Sequence, residues 1–113
     1  VNIRDSILAQ NTLPTVPVTV PEWGTGLSVR SMTAAERDSF DASSRDGDTA
    51  NLANFRARLV VRCLIDPDGK RVFTDADAEA VGKLPAGPVC AVFGAAAKLN
   101  GLTKDEVEEI EKN

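Results

Sequence analysis

Two acidic groupings have residue types and spacings that could hold a cation. Asp66-Pro67-Asp68-Gly69 has the look of a calcium loop. With Gly69 at the sixth position of such a loop, however, Leu64 falls at the first, where a carboxylate is required, and Pro67 at the fourth. Asp75 then stands where the bidentate Glu belongs. A tight turn explains the stretch better. Asp75, Asp77 and Glu79 form the second grouping, with Asp75 and Glu79 on one helix face. Acids at a helix start already gain about 0.3–1 kcal/mol each from the helix dipole, which accounts for them without a metal.

Other chemistry is poorly supplied. The 113 residues include no histidine, which removes the commonest general base, metal ligand and near-neutral pH switch together. Two cysteines without histidine make a poor zinc site, and Cys63 and Cys90 are expected as reduced core residues within apolar helical runs. There is no G-x-S-x-G elbow, no Ser-x-x-Lys, no P-loop and no dinucleotide turn. The chain is expected to be no enzyme, with no catalytic residues, metal or cofactor. Arg56, Arg58, Arg62, Lys70 and Arg71 are the one basic concentration. They read as a solvated helix face, or as a surface that docks an acidic protein. A net charge of −4, and no aromatic among these arginines, argue against nucleic acid. No apolar run is long enough to span a bilayer, and no signal peptide is evident, so a cytosolic protein is expected. The start at Val1 rather than Met leads to the expectation that a few native residues are missing or processed.

The expected fold is α+β, a mostly helical single domain over 1–113 with a small N-terminal β-hairpin. Fifteen alanines among the apolar residues imply a core of modest stability that a partner could complete. Residues 1–14 form an arm with a short helix over 5–10, capped by Asp5 or Ser6. Residues 15–31 form the hairpin, strands about 15–20 and 27–31. Val16, Val18 and Val20 share one face, and Pro17 and Pro21 restrict the first strand to an edge. Trp23, the sole tryptophan, lies at the bend; it is either a lid over the hairpin or an anchor for a partner.

Residues 33–112 supply the helical part. Thr33 and Glu36 form a capping box for a surface helix to about 44, followed by a polar loop over 43–48. The strongest helical pattern runs from Asn51 to Ile65, with Leu52, Phe55, Leu59 and Cys63 inward and Asn51, Asn54, Arg58 and Arg62 on the polar face. Arg71-Val72-Phe73 is extended, Thr74 and Asp77 start a short helix to about Val81, and Val89–Leu99 is apolar almost all round. Asn100-Gly101 closes that helix, and Thr103 with Glu106 opens an acidic terminal one.

The ordered set of short motifs resembles the tail assembly chaperones of long-tailed, non-contractile (siphovirus-type) bacteriophages. It runs Asp5-Ser6-Ile7-Leu8-Ala9, Val18-x-Val20-Pro21-Glu22-Trp23-Gly24, then Leu27-Ser28-Val29-Arg30-Ser31-Met32-Thr33 with Glu36-Arg37 and Phe40. It continues through Arg58-Leu59-Val60, Leu64-Ile65-Asp66-x-Asp68-Gly69, Phe73-Thr74-Asp75-x-Asp77, Lys98-Leu99-Asn100-Gly101-Leu102-Thr103 and Glu111-Lys112-Asn113. The resemblance implies a phage or prophage protein made during tail morphogenesis in the host bacterial cytoplasm. Its partners would be the tape measure protein and tail tube subunits; the alternative is a structural tail or head-completion component retained in the virion. The candidate partner-binding residues are Trp23, Phe55, Arg62, Val92 and Phe93.

Overall fold

The polypeptide is described by a computed structural model over residues 2–46, 49, 50 and 53–102. The start of the 51–65 helix, with Leu52, and the Thr103 capping box with its acidic helix lie outside the described residues. Within them the fold is α+β, as expected: five α-helices beside a small antiparallel sheet.

The chain opens with α1 (Ile3–Leu8), capped by Asn2, whose side chain accepts from the Asp5 amide. The expected cap at Asp5 or Ser6 is displaced because Asn2 reaches the free amide three residues on. The hairpin follows, shorter than expected: β1 (Thr15–Pro17) pairs with β2 (Ser28–Arg30), Val16 opposite Val29. The Val18 amide still donates to the Leu27 carbonyl, but Pro17 has no amide to extend the ladder. Pro17 is tolerated because β1 is the sheet edge. Val20 is buried and Val16 exposed, so the three valines do not share one environment.

α2 (Ala34–Ser43) begins on the expected Thr33–Glu36 capping box and buries Phe40 alone. The expected polar loop instead carries two two-residue strands, β3 (Arg45–Asp46) and β4 (Thr49–Ala50), paired antiparallel. α3 is Phe55–Cys63, entered through Asn54 in the left-handed conformation. It ends earlier than expected because Leu64–Ile65 turns extended as β5 and pairs with β2. Helical periodicity could not anticipate this third strand, since two apolar residues fit a helix end or a buried strand equally well.

The Asp66–Lys70 stretch is the expected turn: Asp66 Oδ1 accepts from the amides of Asp68 (2.8 Å) and Lys70 (3.0 Å). Thr74 and Asp77 form the expected reciprocal cap, leading into a 3₁₀ turn over Asp75–Asp77 and then α4 (Ala78–Gly82). α5 (Ala86–Leu99) starts three residues earlier than expected and buries Pro88, Val89, Val92, Phe93, Ala96 and Ala97 along one side. Cys90 and Ala91 on its other side are exposed, so the expectation of a buried Cys90 is corrected; Cys63 is buried as expected.

α3 is the central element, with α5, α4 and α2 packed around it and α5 also covering β2. Its neighbours leave almost no side of α3 wet: Ala57, Leu59, Val60, Val61 and Cys63 are all buried.

Candidate functional site: an apolar groove beside Trp23

The expected solvated arginine face does not exist as such. Arg58 and Arg62 are only 8% and 7% exposed, because α2 and the 3₁₀ turn pack against α3. Arg58 donates to the carbonyls of Ala53 (3.0 Å) and Ser43 and to the hydroxyls of Ser43 and Ser44. Its guanidinium lies 5.9 Å from the Phe55 ring centre, and that of Arg62 lies 5.7 Å from Phe40. Arg62 also donates to the Arg58 carbonyl and stands 3.9 Å from Asp75. Burial, with the charge of Arg62, pulls Arg58 below its ordinary pKa. These arginines tie loops to the core through their donors and stems, a use of arginine that charge counting does not reveal.

Arg71 is committed as well. Arg71 donates to the Val61 carbonyl (2.7 Å) and to Asp75 (2.6 Å), which fastens the end of α3 to the 3₁₀ turn. Asp75 and Asp77 are thus engaged in an ion pair and a cap. Among the described residues, no group of three or more cysteine or acidic side chains is placed to hold a metal ion.

Four of the five candidate partner residues are drawn together in the core. Phe55 lies between Phe40 (5.5 Å between ring centres) and Phe93 (5.6 Å), Val92 is fully buried, and Arg62 covers Phe40. In this conformation they shape the fold and present little surface. Trp23 differs. The turn from Val20 to Gly24, closed by the Trp23 and Gly24 amides on the Val20 carbonyl, holds its ring half-buried and edge-on to Phe73, 6.3 Å away. Trp23 and Phe73, with Leu27, Leu64, Val72 and Leu84, line an apolar groove of about 330 Å³.

Sequence reasoning singled out Trp23 but missed Phe73, Val72 and Leu84, which arrive from two later segments. The signal for Phe73 was present: a lone aromatic in an extended stretch between a turn and a helix cap has no helical face to join. Trp23 is half-buried at the hairpin bend and walls the apolar groove.

The fold is thus a small α+β one that spends Arg58 and Arg62 internally and leaves an apolar groove on its surface, of the kind that contacts between proteins use. The profile of the phage tail assembly chaperone family matches residues 2–113, and the chain belongs to that family. Its general role is therefore that of a tail assembly chaperone, a non-enzymatic role. Neither the curated proteins nor the solved structures compared with it gave a match. No helix among the described residues is long and apolar enough to cross a membrane.

Proposed function

We propose that the chain binds the tape measure protein in the host bacterial cytoplasm and helps to recruit tail tube subunits to it. The observation that carries this reading is the family match across residues 2–113. A tape measure protein is a long helical chain whose apolar stripes must stay in solution until the tube covers them. The groove beside Trp23 suits one such stripe, because helix-in-groove recognition needs an apolar channel with an aromatic wall. Trp23 makes the direct contact in this proposal, while Phe55, Arg62, Val92 and Phe93 lie in the core and act only through the folded state.

Co-expression with the tape measure protein of the same genome tests the proposal. A soluble complex that co-purifies is expected, and Trp23→Ala should reduce the recovered complex by about tenfold while the chain stays folded. Unchanged tape measure solubility with no complex overturns it. Purified virions should lack the chain by mass spectrometry; its presence as a regular component would favour a structural role instead.

A further inference from the structure

Asn100-Gly101 is the only Asn-Gly pair in the chain, and it stands where α5 ends. The pair does more than close that helix. Asn100 Oδ1 accepts from the Met32 amide at 2.7 Å, across 68 positions of sequence. Its Nδ2 donates to the Ala96 carbonyl at 2.8 Å and lies 3.5 Å from both the Arg30 carbonyl and Cys63 Sγ. Arg37 Nη1 donates to the Asn100 carbonyl at 2.8 Å, which brings α2 to the same corner. One residue thus ties together the ends of α5, β2 and α3.

Asn-Gly is also a reactive pair. The amide nitrogen that follows an asparagine attacks its Cγ, and a glycine, with no Cβ, leaves that approach open. Here a bond would form from the Gly101 nitrogen to Asn100 Cγ. The bond from Cγ to Nδ2 breaks, and the side-chain nitrogen departs as ammonia with the Gly101 amide proton. The cyclic succinimide that remains is opened by water, which leaves aspartate or isoaspartate at position 100. Water is the sole co-reactant, and nothing is oxidised or reduced.

The fold holds the reacting groups away from this path. The Gly101 amide donates to the Lys98 carbonyl at 3.2 Å, and Gly101 takes φ +71°. The next amide, of buried Leu102, donates to the Ala97 carbonyl at 2.9 Å and fixes the turn from its other side. Ring closure must therefore break the Met32 and Ala96 bonds of the Asn100 side chain and the Lys98 bond of the Gly101 amide together.

We propose that Asn100-Gly101 is a self-modification site that the fold keeps shut, so that deamidation marks chains whose α5 corner has opened. The product no longer fits the corner. A carboxylate still accepts from the Met32 amide, but it has no proton for the Ala96 carbonyl and sets its charge against that oxygen. Isoaspartate routes the main chain through Cβ, which displaces Gly101 from its turn and Leu102 from its buried seat. Opening followed by reaction is one-way. The site lies at the base of the hairpin, away from the Trp23 turn, and is independent of the tape measure reading.

The test incubates the full chain in mildly alkaline buffer with and without denaturing guanidinium chloride. Cleavage after Lys98 and Lys104 isolates the pair on a short peptide for mass spectrometry. Replacement of the side-chain amide by a carboxyl is expected in denaturant, and at least about tenfold more slowly in buffer, as for a step that waits on local opening. Gly101→Ala should slow the conversion in denaturant, because its Cβ crowds the attacking amide. Asn100→Asp, which supplies one product directly, should unfold at lower denaturant than the wild type. If that variant does not fold, refolding of the deamidated wild-type chain by dilution makes the same comparison. No conversion in denaturant, or equal rates with and without it, overturns the proposal. So does conversion that Gly101→Ala leaves unchanged, or a product as stable as the unmodified chain.

Discussion

Arg30 and Glu36 meet through two parallel hydrogen bonds, Nη1 to Oε1 at 2.9 Å and Nη2 to Oε2 at 2.6 Å. The same carboxylate accepts from the Thr33 amide, so one side chain both caps α2 and ties it to β2. Arg30 above all, with the Thr33 amide, holds the Glu36 carboxyl down at about 2, from an ordinary 4.5. A carboxyl with a lower pKa folded than unfolded takes up its proton more readily in the unfolded chain. Its stabilisation is therefore complete above about 4.5 and is lost as pH falls from there towards 2. Glu36→Gln should cost about 1–2 kcal/mol at neutral pH, allowing for partial solvent screening. In urea unfolding at a series of pH values, the gap between variant and wild type should close through that acid window. A gap of constant size would mean that the pair contributes through packing rather than charge.

At the scale of elements, α3 and α4 meet where Asn54 faces Gly82. Asn54 enters α3 with φ +53°, and α4 ends on Gly82 directly against it. A Cβ on Gly82 would lie 2.1 Å from Asn54 Oδ1 and 2.9 Å from its Cγ. The obstructing atoms belong to the end of the exposed Asn54 side chain, so relief requires that side chain to turn to another rotamer. Gly82→Ala should destabilise the protein by about 1–3 kcal/mol, the usual cost of overpacking. Asn54→Gly keeps the left-handed backbone and removes the obstructing amide. In that background Gly82→Ala should cost far less, a coupling that a double-mutant cycle by thermal unfolding would measure. Equal costs in both backgrounds would place the clash elsewhere.

Across the whole molecule, three of the four phenylalanines join three helices into one core. Phe40 on α2, Phe55 on α3 and Phe93 on α5 stack in series, with Arg62, Arg58 and Arg56 within 6 Å of their ring centres in turn. Phe55 is the middle member, so its removal opens both contacts at once. Phe55→Ala should cost about 3–5 kcal/mol of stability, seen as a large fall in denaturation midpoint. Trp23→Ala, at the groove, should cost much less stability and act on partner binding. A small stability effect of Phe55→Ala would contradict the core described above.

Much of this was legible in local sequence, and the reason is that its determinants are local. The Thr33–Glu36 and Thr74–Asp77 caps, the Asp66 turn and the Asn100-Gly101 helix end each rest on hydrogen bonds between residues at most four apart. The hairpin was legible in its valines and prolines, and the family in its ordered motifs. Tertiary structure decided what depends on distant segments meeting. It turned Leu64–Ile65 into a third strand because β2 offered an open edge, and it buried Arg58 because Ala53 and the end of α2 supplied acceptors, and Arg62 over Phe40 with the Arg58 carbonyl as acceptor. It also built the groove by bringing Trp23 against Phe73 and Leu84. Periodicity reports which residues favour burial, whereas the partner that buries them is set only when the chain closes on itself.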